Sequence, residues 1–175
     1  EQTRGGEATW YISCDQAFPQ PNYFIDAPAL DLVMVPWITA RYRMNGILYW
    51  ALNFWNQTPN PWLDPVTYIS GFHCSGGYVL NGEGSVVYPG NYTKQFTGQP
   101  NVEGPVSSMR FELLRDGIED YEYLWMLKSM GDADFAEKLI HNMVIDVSTF
   151  SRNVEELYIT REVMARRLEE LTKKK

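Results

Sequence analysis

The sequence predicts an α/β protein built from three consecutive segments: a strand–helix–strand unit, a region of loops and short hairpins, and three C-terminal helices. Two short apolar runs, residues 9–14 and 47–53, lie on either side of a stretch with helical features. Proline, glycine and asparagine then accumulate up to residue 104. From residue 105 onward, apolar residues recur at spacings of three and four. We therefore expect the segments to be residues 1–56, 57–104 and 105–175.

The two strands of the first segment are predicted from residue type. Residues 9–14 (TWYISC) are rich in aromatic and β-branched side chains, which favour a short buried strand. Residues 47–53 form a nearly continuous apolar run of the kind found in parallel sheets. Because a helix is expected to connect them, the two strands should lie parallel in one βαβ unit.

The connecting helix is predicted over about residues 29–43. Asp26 can cap free backbone N–H groups, and Pro28 suits a first helical turn. Pro36 interrupts the pattern, and a proline inside a helix costs about 3 kcal/mol. We therefore expect a kink, or two short helices divided near Val35.

Three helices are predicted after residue 105. Ser107 or Ser108 can cap the first, which should bury one apolar stripe and end at Gly131. That stripe consists of Phe111, Leu114, Ile118, Tyr121 and Trp125. The second should begin at Asp132 or Asp134 and bury Phe135, Leu139, Ile140, Met143 and Val144. Asn153 with Glu156 predicts the capped start of the third.

The composition is that of a folded, acidic protein. Of the 175 residues, 45% are hydrophobic, and 15 Lys and Arg against 22 Asp and Glu give a net charge of −7. A packed core is therefore expected. The acidic balance disfavours nucleic acid and anionic membranes as partners, and no apolar run approaches the roughly 20 residues that span a bilayer.

Candidate sugar-binding residues follow the two predicted strands. Ligands of βαβ units collect at the carboxyl ends of the strands, and aromatic faces beside amides and carboxylates suit a sugar. The candidates are Trp50, Asn53 and Trp55, followed by Asp15 and Tyr23. Side-chain alternation puts Trp50 and Asn53 on opposite faces of one strand, and the sequence does not decide which face turns toward the site. At least one of the candidates should therefore fail to contact the sugar. Each aromatic residue is also a candidate for the core.

Other chemistries have weak support. Asp15 and Asp64 could serve a hydrolase, but both are equally suited to turns. No metal or cofactor is predicted, because His73 and His141 lack ligands at metal-site spacing.

The two cysteines of the sequence, Cys14 and Cys74, allow one disulfide, although two free thiols are favoured. The acidic residues of the first C-terminal helix are expected to form a solvated or structural face, with an ion pair between Arg115 and Glu119.

Several blocks of the sequence resemble the C-terminal part of family 123 glycoside hydrolases. They are GILYWALNFW at residues 46–55, VYPG at 87–90, GPVSSMRFE at 104–112 and LRDGIEDYE at 114–122, together with IDAP at 25–28 and WITARY at 37–42. Their order and spacing cover roughly residues 10–127. The last two predicted helices add little to the resemblance.

The resemblance implies a (β/α)8 barrel of the TIM type. Residues 9–14 and 47–53 would be its seventh and eighth strands, residues 1–56 its last βαβ unit, and the chain one incomplete domain. Members of the family release β-linked N-acetylgalactosamine by substrate-assisted retention, in which the acetamide attacks the anomeric carbon and an adjacent Asp-Glu pair assists. No Asp-Glu dipeptide occurs here, so no catalytic residue is assigned and the segment is expected to be inactive alone.

The resemblance also implies a partner and leaves alternatives open. The partner would be a glycan containing an N-acetylhexosamine, and exposed parallel strand edges allow self-association. Alternatively, the chain is a non-catalytic carbohydrate-binding segment with Trp50, Trp55 and Trp62 as platforms, or a structural and oligomerisation segment. A chain that opens with Glu1 rather than Met reads as a piece of a longer protein. The family suggests a secreted or periplasmic parent, and the sequence itself leaves the compartment open.

Overall fold

The structure, a computed structural model, describes residues 6–69 and 79–173. Its described residues form a mixed α/β fold, as predicted, with helices that outweigh small two-stranded sheets. The strands are β1 (Thr9–Ile12), β2 (Gly46–Tyr49), β3 (Val66–Ile69), β4 (Val79–Asn81), β5 (Tyr88–Pro89) and β6 (Pro105–Val106). The helices are α1 (Leu30–Arg41), α2 (Thr93–Thr97), α3 (Met109–Ser129), α4 (Ala133–Met143) and α5 (Val154–Thr172). Within these residues no sheet closes into a barrel, since each contains two strands.

The predicted strand–helix–strand unit is confirmed. β1 and β2 pair in parallel, from Thr9 opposite Gly46 to Ile12 opposite Tyr49, and α1 connects them. Both strands are shorter than the predicted runs because the chain beyond Tyr49 leaves the pair and bonds instead to the segment around residues 84–87. Two antiparallel pairs follow, β3 with β4 and β5 with β6. The second pair is not the short hairpin expected, because residues 90–104, which include the unpredicted helix α2, separate its strands and β6 lies just past residue 104.

Helix α1 differs from the prediction at its start and at Pro36. Pro36 lies inside one continuous helix, so the alternative of two separate helices is wrong. Every residue from Asp31 to Ala40 is buried, and this packing outweighs the hydrogen bond that proline cannot make. The predicted cap is also wrong: Ala29 precedes the helix without a side-chain cap, and Asp26 instead accepts a hydrogen bond from Asn81 at 2.8 Å.

Helix α3 buries only part of the predicted stripe: Phe111, Leu114 and Tyr121 pack partly buried against the cores, but the fully buried residues are different ones. Ile118 and Trp125, two members of the predicted stripe, are 48% and 59% exposed. The residues that α3 buries are Arg110, Gly117, Asp120, Leu124 and Leu127. A Cβ atom on Gly117 would lie 2.4 Å from the carbonyl oxygen of Val33, so glycine allows the α1 backbone to approach. The polar and small residues therefore lie in the interface, and part of the apolar stripe faces solvent.

The remaining helix signals agree with the structure. Ser108 caps α3 by accepting from the backbone N–H of Phe111, and Gly131 follows its end with a φ of 90°. Asn153 caps α5 by accepting from the N–H groups of Glu155 and Glu156.

Helix α4 buries Ala136, Leu139, Ile140 and Met143, and its partly buried Phe135 packs against the same core. This core joins α1, α3, α4 and α5, and a second, smaller one lies beneath the parallel strands.

Cys14 is disulfide-bonded, so the favoured expectation of free thiols is wrong for this residue. The other cysteine of the sequence, Cys74, lies outside the described residues, as does His73. Within the described ranges, none of the helices combines the length and the apolar character needed to cross a membrane.

Candidate functional site

The two faces of the parallel pair have different surroundings. Trp10, Ile12, Ile47 and Tyr49 pack into the cores on the α1 side. Tyr11 and Leu48, which point to the other face, are 44% and 51% exposed. The face that carries Tyr11 and Leu48 is therefore the more exposed of the two. Trp50 follows the last residue of β2, and its indole is bonded to Glu83.

A buried carboxylate lies at the carboxyl end of β2. Glu83 is 1% exposed, and both of its carboxylate oxygens accept hydrogen bonds. The hydroxyl of Tyr49 donates to Oε2 at 2.9 Å, and the indole Nε1–H of Trp50 donates to Oε1. Tyr49 in turn accepts from the backbone N–H of Gly84 at 2.9 Å, and Thr67 Oγ1 donates to the Glu83 carbonyl at 2.8 Å. The indole of Trp50 is thus fixed through its one donor.

Two glycines shape the turn that presents this carboxylate. Gly82 and Gly84 have φ angles of 76° and 66°, in the left-handed region that favours glycine. A Cβ atom on Gly84 would lie 2.4 Å from Cζ2 of Trp50, so the indole ring packs directly on this backbone. The Gly-Glu-Gly sequence therefore provides both the turn and the space for the ring.

Arg110 joins this turn to the loop after β1. Although almost buried, its guanidinium donates to three backbone carbonyls: that of Tyr23 at 2.7 Å, that of Gly82 at 3.0 Å, and that of Ser85. Helix α3 therefore supplies a cation that holds the loop after β1 against the turn after β4.

Aromatic rings surround the carboxylate. Trp50 contacts Phe54 and Tyr68, with ring centroids 4.8 and 5.5 Å apart. Tyr23 lies against Tyr49 at 4.3 Å. Trp50 remains half-buried, whereas Tyr23 is 1% exposed. Of the rings packed around Glu83 in the described structure, Trp50 is therefore better placed than Tyr23 to meet a ligand.

The structure separates the five sugar-binding candidates into three groups. Trp50 and Tyr23 share the Glu83 network through Tyr49. Asn53 and Trp55 line a groove of about 740 Å³. Asp15 is exposed in the loop after β1, where its backbone N–H donates to Ser13 Oγ. Contact of any of the five with sugar stays a prediction.

Two other residues considered in the sequence have structural contacts. The Trp62 ring stacks on Phe96 with centroids 5.6 Å apart, and its indole N–H donates to the Pro89 carbonyl at 2.9 Å. Asp64 accepts from the backbone N–H of Val66 at 2.9 Å, as a turn-forming aspartate does. In the described part of the chain, no three His, Cys, Asp or Glu side chains are grouped so that they could hold a metal ion.

Burial controls the electrostatics of the site. Desolvation raises the pKa of Glu83, while hydrogen bonds from Trp50 and Tyr49 and the charge of Arg110 act in the opposite direction. Desolvation, with the nearby Glu83, also raises the pKa values of Tyr49 and Tyr11. Both hydroxyls are therefore protonated near neutral pH, and that of Tyr49 donates to Glu83.

The raised pKa of Glu83 predicts a pH-dependent stability. Because the folded state binds this proton more tightly than the unfolded state, the contribution of Glu83 to stability falls as pH rises from about 4.5 through the folded-state pKa. The amide in Glu83→Gln does not titrate. We expect the stability of the wild type relative to Glu83→Gln to decrease by about 1.4 kcal/mol per unit of pKa elevation.

Urea denaturation of both proteins at several values between about pH 4 and pH 8 measures this difference. Asp31 and Asp120, whose pKa values are also raised by burial, titrate in both proteins and cancel in the comparison. Two results would contradict a raised pKa of Glu83. The stability curves of the two proteins would be parallel, or the wild type would gain stability relative to Glu83→Gln as pH rises.

Sequence reasoning missed Glu83, Tyr49 and Arg110 as site residues. The available signal was the Gly-Glu-Gly sequence at residues 82–84, where two glycines flank a carboxyl group. Such a sequence is equally typical of a solvent-exposed turn. Its role depends on contacts with Tyr49 and Trp50, which lie more than 30 residues earlier in the chain.

Comparison with known protein families identifies the family of the chain. A family model described as "Glycoside hydrolase 123, catalytic domain" matches residues 1–127. The match includes β1 to β6, α1, α2 and most of α3, and therefore all the residues that surround Glu83. No curated protein matches the chain.

Proposed function

The chain belongs to glycoside hydrolase family 123, and we propose that it is the C-terminal part of a retaining, substrate-assisted enzyme acting on β-linked N-acetylgalactosamine. Membership of the family implies a carbohydrate substrate. In this proposal the chain binds and orients the sugar, and an Asp-Glu pair outside it assists attack by the substrate's acetamide. The sequence supports this division, because it contains no Asp-Glu dipeptide.

The parallel pair supports the assignment of β1 and β2 as the seventh and eighth strands of a (β/α)8 barrel. Barrel strands are parallel, are joined by helices, and turn alternate side chains inward. β1 and β2 meet the first two conditions, with α1 covering one face. Tyr11 and Leu48 on the other face would then point into the barrel, where upstream strands would cover them.

The observation that carries the proposal is the fixed indole of Trp50 at the carboxyl end of β2. Substrates bind at this end of barrel strands. The axial 4-hydroxyl of a galacto-configured ring leaves one continuous face of C–H groups, which suits packing on an indole. The buried Glu83 holds the indole in one orientation before sugar arrives, and this preorganisation lowers the entropy lost on binding.

The disulfide supports the proposed compartment. Disulfides persist in oxidising environments such as the periplasm or the extracellular space. Cys14 is disulfide-bonded in the loop directly after β1. We therefore propose a secreted or periplasmic enzyme.

A calorimetric titration with N-acetylgalactosamine tests the sugar site, with glucose as the control ligand. The wild type should bind the acetamido sugar selectively and weakly, and Trp50→Ala should weaken binding at least about tenfold, equivalent to 1.4 kcal/mol. Trp125→Ala is the matched control, because this tryptophan is 59% exposed on α3 and lies outside the network. It should bind as the wild type does.

Circular dichroism must show that each variant is folded. Equal binding by Trp50→Ala and wild type would overturn the role of Trp50, and equal binding of glucose would overturn the selectivity. Hydrolysis of an aryl β-N-acetylgalactosaminide by this chain alone would contradict the proposed need for an outside Asp-Glu pair.

A further inference from the structure

The last two helices contact the loop after β1, although they lie outside the residues that the family model matches. That match ends at residue 127, whereas α4 and α5 cover Ala133–Met143 and Val154–Thr172. The contact is made by Arg152, which directly precedes the α5 cap Asn153. A part of the chain that the family model does not cover therefore reaches a loop at the carboxyl end of a parallel strand.

The guanidinium of Arg152 bonds to two separate segments. Its Nε donates to Oδ1 of Asp31 at 2.6 Å and its Nη2 to Oδ2 at 3.3 Å, a bidentate pair with a carboxylate that is 1% exposed in the first turn of α1. Nη2 also donates to the carbonyl of Pro19 at 2.8 Å, in the loop after β1. The same cation lies 5.0 Å from the ring centroid of Phe18. Arg152 thus holds the tip of this loop against the start of α1.

The backbone around Arg152 is a firm support for these contacts. The N–H of Ser151 donates to the Met143 carbonyl at 2.8 Å, and Phe150 forms an antiparallel bridge with Val144. The Phe150 ring also lies under the guanidinium, whose central carbon is 4.1 Å from the ring centroid. The arginine is therefore fixed at its own backbone as well as at its charged end.

The loop after β1 is connected by hydrogen bonds of its own. The amide of Asn22 donates to the carbonyls of Ser13 and Gln16 at 2.9 and 2.8 Å, and its oxygen accepts from the backbone N–H of Tyr23 at 2.6 Å. The ring of Tyr23 in turn lies 4.3 Å from that of Tyr49, which donates to the buried carboxylate of the candidate site. A displacement of the loop would therefore reach the rings that surround this carboxylate.

Two arginines hold this loop from different sides. Arg110 of α3 bonds to the carbonyl of Tyr23, near the end of the loop, and Arg152 bonds to that of Pro19, near its tip. The loop carries two of the sugar-binding candidates, Asp15 and Tyr23. Loops that bind ligands depend on a rigid scaffold for their position. Here one part of that scaffold is the connection between α4 and α5.

We propose that Arg152 is a positioning residue of the sugar site. It holds the loop after β1, and the affinity of the site for N-acetylgalactosamine therefore depends on a helical region that the family model does not cover. The inference rests on the proposed function, because it takes the sugar to bind beside this loop. The bonds from Arg152 to Asp31 and to Pro19 carry it.

Arg152→Met tests the proposal through two measurements on the same protein. Hydrogen exchange followed by mass spectrometry should show amides of residues 13–24 exchanging about tenfold faster than in the wild type. Calorimetric titration with N-acetylgalactosamine should show about tenfold weaker binding. Arg152→Lys keeps the charge without the planar fork, so its effects should be intermediate. It is the second variant if Arg152→Met does not fold.

Arg161→Met is the matched control. Arg161 forms the same bidentate pair with the buried Asp120, at 2.6 and 3.0 Å, and its side chain is 22% exposed against 23% for Arg152. Its hydrogen bonds run to α3 and not to the loop after β1. This variant should therefore lose stability, measured by urea denaturation, but keep the loop exchange and the sugar affinity of the wild type.

The outcomes separate this inference from the proposed function. Unchanged exchange of residues 13–24 in both Arg152 variants, or unchanged affinity in a pair of variants whose wild type binds the sugar, would overturn the role of Arg152 and leave the Trp50 site intact. An equal loss of affinity in Arg161→Met would also overturn it, because general destabilisation would then explain the effect. Absence of sugar binding by the folded wild type would overturn the proposed function, and the role of Arg152 in affinity with it.

Discussion

Arg110→Met is expected to lower the free energy of unfolding by about 3 to 5 kcal/mol and to abolish binding of N-acetylgalactosamine. Methionine keeps most of the side-chain length but donates no hydrogen bond. The carbonyls of Tyr23 and Ser85 would lose the donor that the structure gives them, whereas the carbonyl of Gly82 would keep the backbone N–H of Ser85 at 3.1 Å. Each buried carbonyl without a partner costs about 1 to 3 kcal/mol. Urea denaturation and calorimetric titration measure the two effects.

The loss of binding follows from the position of the three carbonyls. Two of them belong to the turn around Glu83, and the third belongs to Tyr23, whose ring lies on Tyr49. Without Arg110 the turn can move relative to α3, and Glu83 no longer holds the Trp50 indole in one orientation. Arg110→Lys should have an intermediate effect, because an ammonium group cannot reproduce the planar fork of a guanidinium.

Arg115→Met is the matched control on the same helix. The Arg115 side chain is 59% exposed and pairs with Glu112 and Glu119 at the surface. Surface ion pairs contribute less than about 1 kcal/mol, so this variant should keep both its stability and its sugar affinity. A change below about 1 kcal/mol in Arg110→Met, with unchanged binding, would contradict the role given to Arg110.

The sequence predicts those parts of the fold that depend on neighbouring residues. The strand–helix–strand unit follows from two apolar runs separated by a helical stretch, and the structure has the expected parallel pair. The caps at Ser108 and Asn153 are likewise local, since each side chain bonds to backbone two or three positions later. Pro36 shows the limit of this reasoning, because burial of nearly all of α1 overrides the preference of one residue.

Hydrophobicity marks only part of the buried face of α3, which includes Leu124 and Leu127. Arg110, Gly117 and Asp120 belong to this face, and a search for apolar residues excludes all three. Their burial depends on partners distant in sequence, such as Trp37, which donates to Asp120 from 83 positions away. The candidate site likewise combines local and distant contacts. The position of Trp50 at the end of its strand predicts it as a site residue, whereas the role of Glu83 depends on contacts across a loop region.

Asp120→Ala should destabilise the fold by about 3 to 5 kcal/mol. Asp120 is 2% exposed and accepts from Arg161 at 2.6 and 3.0 Å and from the indole of Trp37 at 3.0 Å. Alanine would leave the buried Trp37 N–H without its acceptor, and the partly buried Arg161 guanidinium would keep only the Asp116 carbonyl at 3.4 Å. Glu119→Ala, at the neighbouring exposed position of α3, is the control and should change stability by less than about 0.5 kcal/mol. Urea denaturation followed by circular dichroism provides both values.

A double variant shows whether the loss comes from the ion pair or from the groups left behind. Burial raises the pKa of Asp120 despite the hydrogen bonds from Arg161 and Trp37, which means that desolvation of the carboxylate outweighs their stabilisation of its charge. Replacing a buried ion pair by apolar residues is often neutral, whereas removing one partner is not. Asp120→Leu combined with Arg161→Met should therefore be more stable than Asp120→Ala. If the double variant is the less stable of the two, the pair itself stabilises the contact between α3 and α5, and the cost of Asp120→Ala does not come mainly from the stranded Arg161.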